Sequence, residues 1–272
     1  MNTAYIHPRT VITVQTLRDM KRKQDKIVSL TAYDATFARI LDDAGVEVIL
    51  VGDSLGMVIQ GQSTTVPVTM DDMVYHSRMV ARGCTHALLM VDMPFLSYTT
   101  PAQALTNAAR LMQEGGAHAV KLEGGSMQAE VVHTLAKNGI PVCAHLGLQP
   151  QSIHKLGGYK VQGRGDDARE VLLDDAQILQ DAGADMLLLE CVPAELGSAI
   201  TLAVEIPVIG IGAGVECDGQ VLVLYDMLGI TQGKTPKFSR NFLHGTSVQA
   251  AVSDYFQAVK AGTFPSAEHS FR

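Results

Sequence analysis

The sequence predicts an α/β chain of the (β/α)8 TIM-barrel class. Three observations lead there. The chain has 272 residues, and one such barrel takes roughly 250. Eight short apolar runs recur, each set off by longer amphipathic stretches, the alternation a parallel α/β barrel requires. Several runs are near-continuous hydrophobic strings, as expected for strands covered on both faces. No Pro/Ser-rich linker divides the chain. A single domain over 1–272 is expected, with 1–26 as an N-terminal cap segment and 230–272 as a C-terminal helical tail.

Residues 14–22 have a helical period and are expected to plug the N-terminal end of the barrel. The strands are expected at 27–31, 46–51, 87–91, 117–122, 141–145, 184–189, 207–211 and 221–227. Helices fit between them at 34–44, from Thr69 onward, 101–113, 126–138 and 167–182. Thr69 is a good N-cap, with Asp71 and Asp72 in the first turn. Gly45, Gly116, Gly139 and Gly183 stop helices before the next strand. The connections 52–68 and 146–166 are long and lack a clear period. Loops of that length inside a compact domain are usually functional. Gly210, Gly212 and Gly214 after strand seven read as a tight turn rather than a phosphate site, since no Lys is near and the GxGxxG spacing is absent. Another helix is expected at 247–261.

Composition narrows the function classes. Hydrophobic residues make up 47% and charged residues 18%, with no Trp, so the core is aliphatic and the chain globular. The formal net charge of −7 lacks the basic footprint of a nucleic-acid binder. No apolar stretch reaches the ~20 residues of a membrane span. Arg9, Arg18, Lys21, Arg22 and Lys23 lie early, but Asp19 interrupts them, and a transit peptide is not expected. Cys84, Cys143, Cys191 and Cys217 form no CxxC pair. Reduced, structural thiols in the cytoplasm are the expectation.

The chemistry sits where strands end. Asp53 and Ser54 follow strand two, Asp92 follows strand three, Lys121 and Glu123 close strand four, His145 closes strand five and Glu190 follows strand six. A parallel barrel brings all these ends to one face. Each residue has an ordinary explanation when taken alone. Asp53 could cap the next segment, Asp92 could serve a turn, Glu123 could be a loop acid and His145 a satisfied core histidine. Lys121 between Val120 and Leu122 needs a counter-charge or an anionic ligand. Taken together, Asp53, Asp92 and Glu123 make an oxygen-rich site for a hard cation such as Mg2+. That cation would hold a 2-oxo acid by two oxygens and favour its enolate. Lys121 and Ser54 would bind the oxo acid, and Glu190 would be the general acid/base.

At these residues the chain resembles the ketopantoate hydroxymethyltransferase family. The resemblance runs from about Thr10 to Phe242. It rests on Leu30-Thr-Ala-Tyr-Asp34, Val51-Gly-Asp-Ser-Leu-Gly-Met-Val58, Val120-Lys-Leu-Glu-Gly-Gly125 and Ala144-His-Leu-Gly-Leu148. Gly158-Tyr-Lys-Val-Gln-Gly-Arg164, Glu190-Cys-Val-Pro193, Ile209-Gly-Ile-Gly-Ala-Gly214, Asp218-Gly-Gln-Val-Leu-Val223 and Pro236-Lys-Phe-Ser-Arg-Asn-Phe242 continue it. It implies a magnesium enzyme that moves the one-carbon unit of 5,10-methylenetetrahydrofolate onto 3-methyl-2-oxobutanoate, giving 2-dehydropantoate in pantothenate synthesis. By motif, Asp53 and Asp92 ligate the metal, with Glu123 a third ligand or a partner through water. Ser54, Lys121, Asp53 and Asp92 bind the oxo acid, Glu190 matches the proton acceptor and His145 lines the pocket. The resemblance also implies a homo-oligomer, a decamer. The first ten residues and those after Phe242 match no pattern. The alternative is another magnesium-enolate lyase or mutase of the isocitrate lyase or phosphonopyruvate type. Against it, the 146–166 connection offers only Lys155, Lys160 and Arg164 as basic groups and no Cys. A binding or assembly module without chemistry is the third possibility.

Overall fold

A helix leads into the strands, and the strands close on themselves. The computed structural model describes residues 10–233 and 235–272. Arg9 and the rest of 1–9 in the expected cap segment lie outside them. In chain order the elements begin with α1 (Val14–Arg22), β1 (Ile27–Thr31), α2 (Ala35–Ala44), β2 (Val48–Val51), α3 (Leu55–Val58) and α4 (Met70–Gly83). Next come β3 (Leu88–Asp92), α5 (Pro101–Gln113), β4 (Ala119–Glu123), α6 (Ala129–Lys137), β5 (Val142–Gly147) and α7 (Ile153–Leu156). The chain ends with α8 (Asp166–Asp181), β6 (Met186–Glu190), α9 (Ala194–Ala203), β7 (Val208–Ile211), β8 (Gly219–Leu222), α10 (Leu224–Met227) and α11 (Val248–Lys260). The strands follow sequence order around a closed barrel. β8 pairs parallel with β1 to complete it.

Local chemistry sets the helix starts. Thr13 and Thr16 form a reciprocal capping box on α1, and Thr69 and Asp72 form another on α4. The Asp34 carboxylate accepts from the N–H groups of Thr36 and Phe37 at the start of α2. Thr100 caps α5, with Pro101 in the first turn. β1 to β5 are buried along their whole length. Burial on both faces is why these segments are apolar strings rather than alternating ones.

α1 closes the N-terminal end of the barrel. Leu17 is fully buried. The Lys21 ammonium donates to Thr201 O and Ile206 O and pairs with Asp218 at 2.8 Å. Arg18 pairs with Asp185 at 3.0 Å. Ile206, Asp218 and Asp185 lie just before β7, β8 and β6. α11 joins the barrel wall through Tyr255, whose buried hydroxyl reaches Ser29 O and Gln220 O.

One strand is shifted from its expected place. The eighth was expected at 221–227, but β8 is Gly219–Leu222 and Leu224–Met227 is helical. The apolar run crosses both elements, so hydrophobicity alone does not mark the break. The chain turns where Leu224 N–H donates to Thr31 Oγ1 at 2.9 Å. No helix separates β7 from β8. The glycines after β7 make the tight turn, with Gly212 and Gly214 at φ +63° and +91°. The two long connections also carry short helices, α3 and α7.

Candidate active site

The C-terminal ends of β2 to β6 place Asp53, Asp92, Lys121, Glu123, His145 and Glu190 at one mouth. Neighbouring registers set the order: Asp92 lies beside Lys121, Glu123 beside His145, and Gly147 beside Glu190. Gly147 has φ +89° because a side chain there would drive into Glu190 O. That close approach fixes the end of β5 against the residue that carries the last carboxylate.

The Lys121 ammonium sits 3.0 Å from Asp92 Oδ1 and 3.3 Å from His145 Nδ1. Asp53 N–H donates to Asp92 Oδ2 at 3.0 Å. Gln151 donates from its side chain to Asp53 Oδ2 at 2.9 Å and from its backbone to Glu123 Oε2 at 3.0 Å. His145 lies between two acids, Nδ1 at 3.5 Å from Glu123 Oε1 and Nε2 at 3.3 Å from Glu190 Oε2. The Ser54 hydroxyl shares a hydrogen bond with the Tyr33 hydroxyl at 2.9 Å. Asp53, Asp92, Lys121, Glu123 and His145 are all buried, while Glu190 keeps 14% of its side chain exposed.

The electrostatics are lopsided. Burial, then the charges of Asp92 and Glu123, push the Asp53 carboxyl up to about 8. Burial also raises Asp92, against the pull of Lys121. Burial opposes the charge of Lys121, but Asp92, Glu123 and Asp53 outweigh it and hold the ammonium well above its usual range. Burial and Lys121 oppose a charged His145, yet its contacts with Glu123 and Glu190 push it up to about 9. Nδ1 of that ring cannot accept from Lys121 and donate to Glu123 at once. In the neutral ring Nδ1 faces Lys121 and the Nε2 proton faces Glu190; in the charged ring Nδ1 turns its proton to Glu123. His145 therefore keeps an Nε2 proton toward Glu190 in both forms, and the proton it gains or loses lies on Nδ1, between Lys121 and Glu123.

These residues suit a hard cation. Four carboxylates, Asp53, Asp92, Glu123 and Glu190, face at most two positive groups, Lys121 and His145. Glu123 Oε1 is buried without a hydrogen bond, and Asp92 Oδ1 faces the Lys121 ammonium. Among the described residues no three His, Cys, Asp or Glu side chains close around one point as a full metal-ligand set. Magnesium needs no such set, since it takes one or two protein carboxylates and fills the rest with water and substrate oxygens. The donors are oxygens throughout, which disfavours zinc.

Sequence reasoning missed three residues here. Gln151 and Tyr98 tie the acids together, and Tyr33 holds Ser54. Gln151 lies in the 146–166 connection, whose length was the available signal. Tyr98 carried none, and Tyr33 lies in the Leu30–Asp34 motif at the end of strand one, which gave its hydroxyl no role until the structure placed it against Ser54. The cysteines are free thiols, three of them buried; burial pushes Cys143 and Cys217 up to about 12, so they stay inert.

A closed parallel barrel with buried acids gathered at its strand C-termini defines an enzyme of the (β/α)8 class. Solved structures share this fold. A 2,3-dimethylmalate lyase matches with a TM-score of 0.58 and 18% identity, over 81% of this chain and 83% of that one. A phosphonopyruvate hydrolase solved with oxalate and Mg++ matches with a TM-score of 0.60 and 12% identity, over 95% and 93%. At these identities the likeness is one of fold. The sequence goes further: the family model for ketopantoate hydroxymethyltransferase matches residues 11–267. A 3-methyl-2-oxobutanoate hydroxymethyltransferase of Alkalilimnicola ehrlichii is 62% identical over 97% of this chain and 95% of its own length. One from Nitrosococcus oceani is also 62% identical, over 96% and 99%. The chain belongs to the ketopantoate hydroxymethyltransferase family and is a transferase. No helix among the described residues is long and apolar enough to cross a membrane.

Proposed function

We propose that the chain transfers a hydroxymethyl group from 5,10-methylenetetrahydrofolate to 3-methyl-2-oxobutanoate, giving 2-dehydropantoate. One observation carries this beyond family membership. Glu123 Oε1 is buried without a hydrogen bond, and Asp92 Oδ1 meets the Lys121 ammonium, in a mouth with surplus negative charge. Asp53 and Asp92 would hold a magnesium ion there, with Glu123 a third ligand or a partner through water. When bound, the cation supplies Lewis-acid charge to the carboxylate and keto oxygens of the oxo acid and favours its enolate.

The chain's own side chains do the rest. Lys121, held between Asp92 and His145, donates to an oxo-acid oxygen as charge develops. The Ser54 hydroxyl, steadied by Tyr33, offers a second donor. Glu190 is the partly open carboxylate, and it takes the proton from carbon 3 of the oxo acid. Water opens the methylene bridge of the folate, so that both N–C bonds break, tetrahydrofolate leaves with two N–H groups, and the one-carbon unit is left at the formaldehyde level. Carbon 3 bonds to that carbon, and its oxygen takes a proton to become the hydroxyl. His145 stands 3.3 Å behind Glu190, where its Nε2 proton steadies the carboxylate. The same assignment makes the chain one domain over 1–272, cytoplasmic, and a homo-oligomer, a decamer by family resemblance. Its partners are then small molecules rather than nucleic acid or membrane, in keeping with the net charge of −7.

The test is product formation by the purified chain with magnesium, folate donor and oxo acid. Lys121→Ala and Asp53→Ala should each lose 2-dehydropantoate formation by roughly 100-fold or more, with unchanged circular dichroism. Near-normal product from both variants would end the assignment. Consumption of 3-methyl-2-oxobutanoate without folate would shift it to a lyase.

A further inference from the structure

We propose that Gln151 is the positioning residue that aims Asp53 and Glu123 at the cation site, a role that rests on the proposed function above. Gln151 is buried in the short 3-10 turn after β5. Its side-chain nitrogen donates to Asp53 Oδ2 and to Met93 O, both at 2.9 Å. Its Oε1 accepts from the Tyr98 hydroxyl at 2.6 Å. Its backbone N–H donates to Glu123 Oε2 at 3.0 Å. Glu123 N–H donates in turn to the Tyr98 hydroxyl at 3.2 Å. One residue, through its side chain and its backbone N–H, thus joins the ends of β2, β3 and β4 to the segment after β5.

The partners explain why this is a glutamine. An ionised Asp53 and the Met93 carbonyl can only accept, so the group between them must offer two protons at once. An amide nitrogen does so. A carboxylate does not, and an apolar side chain offers none. The same partners fix which way the amide faces, and the Tyr98 hydroxyl then has to donate to Oε1. Both amide protons are committed to protein acceptors, so the side chain has no donor left for substrate. Its effect passes through the carboxylates. Gln151 pins Oδ2 of Asp53 and Oε2 of Glu123, while Glu123 Oε1 is left without an aligned bond. Fixing one oxygen of a carboxylate aims the other, which is how outer partners tune a metal site. Without that clamp, like-charged acids crowded together would swing apart.

Calorimetric titration of the metal-free protein with magnesium chloride alone tests this. Gln151→Met keeps the length of the side chain and removes both donors. Magnesium affinity should fall roughly 10–100-fold while circular dichroism stays unchanged. At limiting magnesium the KM for the oxo acid should rise, and saturating magnesium should restore most of kcat, a rescue that general loosening of the fold would not give. Wild-type magnesium affinity in a folded Gln151→Met protein overturns the role. Should that variant fail to fold, Tyr98→Phe decides. It frees Gln151 Oε1, and a several-fold loss of magnesium affinity supports the role whereas wild-type affinity overturns it. A wild-type chain that binds no magnesium sinks the proposed function and the role of Gln151 with it. Wild-type binding with an unchanged Gln151→Met affinity removes only the latter.

Discussion

The two ends of the barrel treat buried acids in opposite ways. At the N-terminal end, Asp42 accepts from the backbone N–H groups of Thr85, His86 and Ala87 and from the Thr85 hydroxyl. Glu47 pairs with Lys260 at 2.7 Å and accepts from Val28 N–H, and Asp218 pairs with Lys21. At the C-terminal end, Asp53, Asp92, Glu123 and Glu190 outnumber their partners, and Glu123 Oε1 is left without a hydrogen bond. Asp42 and Asp53 show the contrast in their pKa directions, while burial raises Glu47 in spite of Lys260. Burial pushes both Asp42 and Asp53 up, but donors around Asp42 outweigh it and hold that carboxyl well below its usual range. Around Asp53 neighbouring acids add to burial instead. A buried acid with its donors in place supports the fold. One starved of donors among other acids is poised for a ligand.

That contrast is broken first by variants that remove a charge from each end. Asp53→Asn should lower turnover by at least ~100-fold and, above pH ~8 where the Asp53 carboxyl is charged, raise the unfolding midpoint of the metal-free chain, because it removes one charge from a crowded cluster. The amide oxygen can still accept from Gln151. A lowered midpoint would show that Asp53 is satisfied after all. At the other end, Asp42→Ala strands several buried donors and should cost about 3–5 kcal/mol in denaturant unfolding. Turnover per folded molecule should not change. A fall in turnover equal to that of Asp53→Asn would erase the distinction between the ends.

Acid sharpens the contrast. The folded-state pKa of Asp42 is depressed, so its stabilising contribution is complete above the ordinary value of about 3.9 and is lost as pH falls below it. The stability difference between wild type and Asp42→Asn should therefore be constant near neutrality. It should shrink below pH ~4 by up to ~1.4 kcal/mol per pH unit. A pH-independent difference would mean that the N–H donors do not set the Asp42 charge. The smallest effect belongs to the half-exposed Arg18–Asp185 pair. Arg18→Ala should cost about 0.2–1 kcal/mol, less in high salt.

Most strands were legible from the chain alone, since parallel strands buried on both faces must be apolar. β1 matches its expected span, and β2 to β7 each lie within two residues of theirs at both ends. β8 was not legible, because Gly219 and Gln220 are not apolar and the run continues into α10. The candidate site was legible as a set of ionisable residues at strand ends. Its wiring was not. Nothing at position 151 or 98 signals a partner, because Gln151 meets Asp53 across 98 residues and Tyr98 meets Gln151 across 53.

The order of Asp53, Asp92, Lys121, Glu123, His145 and Glu190 along successive strands was determined by sequence. So was their meeting at one end, because parallel strands carry all their C-termini to the same face. Which oxygen each acid offers, and which is pinned, was decided only by closure of the barrel. Hydrogen bonds depend on tenths of an ångström between residues far apart in the chain, and no local pattern encodes that separation.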